Sequence, residues 1–321
     1  MDTAASALLI LNRTSGTGAA PTCAAALRAV LARRLPATIR EVEDHPTAAL
    51  AAEAFVRAHP SALLVVAGGG GTLRAAAEGA WRAVGRRSAP PQRLSMAALR
   101  LGSGNVVARA LGAGRDPVQS LERLAAAHGA GRTVAVPLIR CRADGREHLA
   151  LAMAGFARWG LVPGDIARWR RAAGRARCGL GRAVGIEHLN QLEYRTFFAL
   201  RLLQALADPR CLRPVELTAG GRTTRLRPLA MGVVNLPVRG LPGVRPPALA
   251  EPRFDLYVLP WPGAGRPRLA WTFRPGAAPV RLRMLDGAPA ECFLDEDPER
   301  GRDLLLDLPG FIHFASGGTS K

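Results

Sequence analysis

Leu63-Leu64-Val65-Val66-Ala67-Gly68-Gly69-Gly70-Gly71-Thr72-Leu73 is the stretch that decides the fold. A short apolar run breaking into four glycines and a hydroxyl residue reads as a buried strand turning into a helix. Glycine backbone tolerates positive φ and lets bare N–H groups approach an anion, and the N-terminus of the following helix adds partial positive charge. Thr72 is the predicted cap of that helix. The bland alternative is a tight strand-to-helix turn with no ligand. No carboxylate stands in the loop.

Two further segments share this grammar. The run Ala7-Leu8-Leu9-Ile10-Leu11 leads into Asn12-Arg13-Thr14-Ser15-Gly16-Thr17-Gly18, before a helical pattern over residues 23–35. Residues 94–101 lead into Gly102-Ser103-Gly104-Asn105, and a short helix follows that Gly112 ends. In an open α/β sheet, loops of this kind gather at the carboxyl ends of parallel strands, where ligands bind.

Outward from these loops, strand-like runs alternate with alanine-rich helical stretches, including residues 47–59 and 118–128, as in a parallel α/β layer. The pattern changes near residue 131. Residues 133–139, 148–154, 215–217, 229–236, 254–259, 269–273 and 280–285 are short strand-like runs punctuated by Pro and Gly. They predict an antiparallel, β-sandwich-like second domain. The predicted organisation is therefore a doubly wound parallel α/β domain over residues 1–131, then a β-rich domain over 132–302 with a helical insertion near 160–207. Residues 303–321 are candidates to rejoin the first domain.

Composition prunes the functions. With 321 residues and 48% hydrophobic content, the chain can bury two cores. The net charge is +19, yet 43 of the 44 basic residues are arginine and the sole lysine is Lys321, as a GC-rich genome would produce. A Walker loop, a protein-kinase strand lysine and a Schiff-base amine all need an internal lysine, so those classes are excluded. Cys23, Cys141, Cys178, Cys211 and Cys292 are odd in number and widely spaced, which indicates neither a disulfide framework nor a zinc site. A reducing, cytoplasmic setting fits. No signal-peptide layout and no run of about 20 apolar residues is present, so any membrane contact is expected to be peripheral. None of the six histidines has metal-ligand spacing.

The three loops together resemble the diacylglycerol kinase catalytic-domain family, lipid kinases related to the NAD and sphingosine kinases. Asn12-Arg13-Thr14-Ser15-Gly16 is similar to the family's Asn-Pro-x-Ser-Gly. Gly68 to Thr72 is similar to its Gly-Gly-Asp-Gly-Thr, and Leu101 to Gly112 to its Gly-Thr-x-Asn-Asp-x-Ala-Arg-x-Leu-Gly. Weaker echoes follow in Ala154-Gly155-Phe156, in residues 247–256 and in Leu285-Asp286-Gly287. The departures remove acids: Gly70, Ala75, Val106, Ala250 with Pro252, and Ala288 stand where the family carries carboxylates or its Asp-Asp-Gly stretch.

The resemblance implies ATP as phosphoryl donor, Mg2+ and a diacylglycerol-like lipid as acceptor. It assigns nucleotide binding to Asn12, Ser15, Gly16, Gly68, Gly69, Gly70, Gly71, Thr72, Gly102, Ser103 and Asn105. Asp286 is the remaining candidate for a catalytic or metal-organising acid, against the plainer reading of Asp-Gly as a hairpin turn. Without the loop aspartate, a non-catalytic nucleotide or lipid sensor is the competing expectation.

One helical stretch carries Arg168, Arg170, Arg171, Arg175, Arg177 and Arg182 beside Trp159 and Trp169, with no acid over residues 166–182. Arginine with tryptophan suits an anionic membrane surface, and a solvated face is the alternative. No motif for reading nucleic acid accompanies the charge, so no nucleic-acid partner is expected. A homodimer is a further possibility. The next helix, residues 192–207, offers Leu192, Phe197, Leu200, Leu203 and Leu206 as predicted core positions.

Overall fold

The computed structural model describes residues 7–15, 19–84, 94–102, 105–236, 253–261, 271–273, 278–295 and 297–316. The elements of the first part, in chain order, are β1 (Ala7–Asn12), α1 (Ala19–Arg34), β2 (Ala37–Val42), α2 (His45–Ala58), β3 (Leu63–Gly68), α3 (Gly70–Ala83), β4 (Ser95–Arg100), α4 (Val106–Ala110), α5 (Pro117–Gly129) and β5 (Thr133–Pro137). Next come β6 (Ile139–Ala143), β7 (Arg146–Ala150), β8 (Met153–Ala157), α6 (Val162–Val184), α7 (Ile186–Ala207), β9 (Val215–Ala219), β10 (Arg222–Leu226), β11 (Pro228–Val234) and β12 (Asp255–Pro260). The last are β13 (Trp271–Phe273), β14 (Val280–Met284), β15 (Ala290–Leu294), β16 (Asp297–Gly301), β17 (Asp303–Asp307) and β18 (Phe311–Ala315). The chain divides into two compact units, residues 1–137 with 309–321, and residues 138–308.

The first unit is a six-stranded sheet in the order β2-β1-β3-β4-β18-β5. β1 to β4 and β18 run parallel, and β5 is antiparallel to β18. Strands β1 and β3 are buried along their whole length, as a parallel sheet covered on both faces requires. On one face Leu9, Leu11, Val65, Ala67, Ala97 and Leu99 pack against Leu27 and Leu31 of α1 and Leu121 and Leu124 of α5. Gly79 of α3 lies so near α2 that a Cβ there would stand 2.0 Å from the Ala49 carbonyl oxygen. The two helices therefore meet nearly backbone to backbone, using alanine and glycine where other α/β layers use leucine. α2 starts at Asp44, whose carboxylate accepts the Thr47 amide at 2.7 Å, and α5 starts at Asp116, which accepts from Val118 at 2.8 Å.

The second unit holds two six-stranded sheets, ordered β10-β9-β14-β17-β6-β7 and β13-β12-β11-β8-β15-β16, with every pairing antiparallel. Alternate residues of both sheets, such as Cys141, Leu217, Leu282 and Leu304 from one and Phe156, Met231, Val233 and Cys292 from the other, form one apolar core. This is the predicted α/β layer followed by an antiparallel sandwich. Burial pushes the Cys141 thiol up to about 12, so it stays protonated within that core.

On the outer side of the second sheet, aromatic rings fill the space that glycines leave. A Cβ on Gly155 would lie 2.0 Å from the Phe293 ring, and one on Gly232 would lie 2.3 Å from Trp159. Trp159 contacts Phe293 edge to face at 5.5 Å and Phe198 of α7 at 6.0 Å, and donates its indole N–H to the Tyr194 hydroxyl at 2.5 Å. Asp295 anchors the neighbouring corner, its carboxylate accepting the amides of Leu151 (2.8 Å), Ala152 (2.8 Å) and Met153 (3.1 Å).

The helical hairpin corrects two expectations. The arginines of α6 do not all face outward. Arg170 and Arg177 donate to Glu193 at 2.9 and 2.6 Å, both also reach Asn190, and Arg201 of α7 grips Asp165 at 2.5 and 2.6 Å. Arg168 also reaches Asp165, Arg171 is exposed, and the side chains of Arg175 and Arg182 lie outside the described residues. The predicted core stripe of α7 faces away from the protein. Leu192, Leu200, Leu203 and Leu206 are exposed, while Leu189, Asn190, Glu193 and Ala205 are buried. Hydrogen-bonded arginine, glutamate and asparagine took the inward face, because leaving Glu193 unpaired beneath α6 would cost several kcal/mol.

Burial raises the Glu193 carboxyl, but the hydrogen bonds and charges of Arg177 and Arg170 outweigh it and hold the group below its ordinary value of 4.5. A carboxylate lowered by folding contributes stability above its unfolded value and loses it as pH falls through the lower, folded one. Amide-exchange protection in α6 and α7 is therefore expected to be complete at neutral pH and to fall away below about pH 4.5. Glu193→Gln should remove that pH dependence, and an unchanged acid profile in this variant would contradict the pairing.

Candidate phosphate-binding loops of the first unit

The chain order β2-β1-β3-β4 brings the carboxyl ends of β1, β3 and β4 side by side, so the three loops read from sequence become neighbours. Hydrogen bonds tie the first to the second: Asn12 Nδ2 donates to Thr72 Oγ1 at 2.7 Å, and the Gly69 amide donates to Ser15 Oγ at 3.1 Å. Asn12 Oδ1 also accepts the Thr14 amide at 2.9 Å and its hydroxyl at 2.8 Å. Asn12 and Thr72 are almost wholly buried, at 3% and 1% exposure, so they brace the loops from beneath. Thr14 completes this brace, and the sequence reading passed over it because a threonine in a polar loop carries no special signal.

The third loop meets the second by close backbone approach. A Cβ on Gly102 would fall 2.3 Å from Gly69 Cα and 3.1 Å from the Gly68 carbonyl oxygen. Only glycine fits there. Asn105 closes this loop on itself, donating to the Gly102 carbonyl at 2.7 Å and accepting the Gly102 amide at 3.1 Å. Its backbone takes φ 51°, the left-handed region that asparagine enters more readily than most residues. The short α4 then ends at Gly112 (φ 79°), with Gly112 N bonded to Arg109 O at 3.0 Å and Ala113 N to Ala108 O at 2.9 Å. That is the expected glycine stop. Gly16 and Ser103 lie outside the described residues.

Helix α3 starts at Gly70, earlier than the sequence reading places it. Thr72 is therefore in its first turn and does not cap it; the cap position belongs to Gly69, and the threonine hydroxyl is taken by Asn12. The shift arises because Gly70 and Gly71 adopt helical backbone, which leaves Gly69 and Gly70 half-buried and the first-turn amides of a 14-residue helix at the head of the loop cluster. Amides, dipole and bare glycine backbone fit the oxygens of a phosphate chain.

The same residues do not fit a protein-held Mg2+. Gly70, Ala75 and Val106 offer no side-chain oxygen ligand, and among the described residues no three His, Cys, Asp or Glu side chains gather as a metal site. Glu78, further along α3, is paired with Arg74 at 3.5 Å and Arg82 at 3.2 Å.

Asp286 belongs to the second unit. Its Asp-Gly turn, with Gly287 at φ 71°, is no hairpin: β14 and β15 sit in different sheets, and the turn is the corner between them. Arg213 holds the carboxylate with both nitrogens and also donates to the carbonyls of Ala288 and Pro289. This grip keeps the Asp286 carboxyl below the usual range, despite some desolvation in the other direction. The group is held as an anion and cannot serve as a proton donor. Arg213 was invisible to sequence reasoning because 73 residues separate the pair. The second unit also contains a cavity of about 340 Å3, lined by Phe156, Met231, Leu282 and Met284, with Arg158 and Arg213 among its polar members.

Residues 6–136 match the diacylglycerol kinase catalytic domain family. A search of the curated proteins gives no match. Among solved structures, a diacylglycerol kinase from Bacillus anthracis str. Sterne is similar over 98% of this chain and 98% of its own, at 15% identity and a TM-score of 0.61. A second structure from the same organism, described as a candidate diacylglycerol kinase, is similar over 98% and 96% at 15% identity and a TM-score of 0.67. A third, described in the same way, is similar over 97% and 98% at 16% identity and a TM-score of 0.63. At such identities these likenesses establish the fold. The likeness in sequence to that family is the match over residues 6–136.

Proposed function

We propose that this chain is an ATP-dependent lipid kinase-like protein whose acceptor is a hydroxyl of a diacylglycerol-like lipid. The observation that carries the reading is the interlock of three glycine and hydroxyl loops, with Gly69 amide on Ser15 and Gly102 against Gly69 at a distance no side chain permits. Ser15 and the backbone of Gly69, Gly70 and Gly71 would meet the phosphates, while Asn12, Thr72 and Asn105 hold those loops in place. The cavity of the second unit supports a lipid acceptor, since its Phe156, Met231, Leu282 and Met284 lining suits an acyl chain and its arginines a polar head. Mg2+ would enter with the nucleotide, coordinated by phosphates and water.

A second reading, a nucleotide or lipid sensor without turnover, is favoured by one observation: Gly70 and Ala75 supply no acid, and Asp286 is already committed to Arg213. Calorimetric ATP binding and transfer of labelled γ-phosphate to mixed lipids with Mg2+ separate the two. Transfer to diacylglycerol is expected, and it should survive Asp286→Asn if that carboxylate only steadies the corner. Binding without transfer would replace the kinase reading with the sensor, and absence of ATP binding would sink both.

A further inference from the structure

We infer that the helical hairpin α6–α7 is a docking surface for anionic lipid bilayers. Leu192, Leu200, Leu203 and Leu206 follow one another at intervals of eight, three and three residues. At 3.6 residues per turn they occupy about a third of the circumference of α7. Their exposures are 61%, 52%, 60% and 47%, so this is an exposed apolar stripe on a helix that buries Asn190, Glu193 and Ala205 elsewhere. Trp169, Leu180 and Val184 of α6 are also exposed, at 43%, 52% and 51%. These seven residues make up most of the large exposed apolar side chains among the described residues; the remaining two are Leu50 and Leu285. Such a concentration on one supersecondary unit marks an interaction site.

The charge around the stripe selects the occupant. Arg168, Arg171 and Arg195 are exposed on the same two helices, whereas the described acids of the hairpin, Asp165 and Glu193, are 8% and 5% exposed and lie beneath arginines. The described ionic groups that the hairpin shows to solvent are therefore of one sign. A second copy of this face would bring arginine against arginine, while an anionic bilayer neutralises the arginines and takes up leucine and tryptophan at the depth each prefers. Burying the acids under Arg170, Arg177 and Arg201 is what gives an arginine-rich hairpin an apolar, cationic exterior. No helix among the described residues is long and apolar enough to cross a membrane, so the hairpin would lie along the interface. The inference does not depend on phosphoryl transfer.

The test is co-sedimentation of the full chain with sucrose-loaded vesicles of phosphatidylcholine alone or with phosphatidylglycerol. The protein should pellet with the anionic vesicles, less so at high salt, and weakly with phosphatidylcholine. Leu200→Asp with Leu203→Asp should weaken partitioning by about tenfold or more, because two anchors would no longer enter the apolar layer. Arg171→Glu with Arg195→Glu should weaken it on anionic vesicles only. Both pairs change exposed positions, so melting curves should match the parent.

The inference is overturned if the parent stays in the supernatant with anionic vesicles, or if the leucine pair binds as tightly as the parent. It is equally overturned if the parent is a dimer in solution that the leucine pair converts to a monomer without loss of vesicle binding, which would give the stripe to a second copy. Vesicle binding without kinase turnover would leave this inference standing and remove the kinase reading, and turnover on micellar diacylglycerol without vesicle binding would do the reverse.

Discussion

Gly70→Asp is expected to raise γ-phosphate transfer to diacylglycerol by roughly 10²-fold or more, the usual worth of a positioned acid or base in such a reaction. The structure favours a clean substitution. Gly70 is not among the positive-φ glycines, so an L-residue adopts its backbone without strain. It is the first residue of α3, where a carboxylate meets the positive end of the helix and gains about 0.3–1 kcal/mol. It is half-buried, so the new side chain has access to solvent. The measurement is initial rate in mixed micelles, with ATP affinity by calorimetry as control. A variant that binds ATP as tightly as the parent and turns over no faster would show that the cradle is no longer arranged for chemistry, and would favour the sensor.

Gly102→Ala tests the interlock itself. Its methyl group would have to displace the Gly69 backbone, because a Cβ there would stand 2.3 Å from Gly69 Cα. Overpacking of this kind costs typically about 1–3 kcal/mol in stability. It also spreads the second and third loops, so ATP affinity should fall by about tenfold or more, each tenfold being about 1.4 kcal/mol. Gly129→Ala is the matched control: a Cβ there meets nothing within 4 Å, and the residue ends α5 without a positive φ. It should leave both quantities nearly unchanged. Equal melting and equal affinity in Gly102→Ala would mean that the loops tolerate separation, and the phosphate-cradle reading would fail.

Much of the architecture could be read from residues because buried strands announce themselves as apolar runs and helices as alanine-rich periodic stretches. β1, β3 and β4 fell where Leu8, Leu64 and Met96 lie, with glycine and hydroxyl residues after each. β2 escaped because Ala37–Val42 is an edge strand with mostly exposed side chains and no apolar run. Residues 133–139 read as one strand, yet β5 ends at Pro137 and β6 begins at Ile139 in a different sheet. The run 148–154 likewise breaks where Asp295 draws in three amides. Local pattern holds no trace of a carboxylate more than 140 residues away.

The loops of the candidate site were legible as loops, and their partners were not. Nothing in the spacing says that Asn12 spends both ends of its amide on Thr14 and Thr72, or that Gly102 is required by Gly69. The α7 stripe misled for a different reason: periodicity reports that one face is apolar, and it is silent on which way that face points. Burial of Glu193 and Asn190 under arginines decided the orientation, and it depended on the neighbouring helix.

Strand β18 sits between β4 and β5, so residues 311–315 are an interior member of the sheet whose first strand begins at residue 7. On the ribosome, the loop-bearing unit must therefore wait: β4 keeps an open flank until residues 311–315 have emerged, while residues 138–308 hold every strand of their own two sheets beforehand. Folding of the first unit is thus expected to finish only once residues 311–315 are available. A shortened gene ending near residue 308 should yield a sandwich beside an unfinished, aggregation-prone sheet.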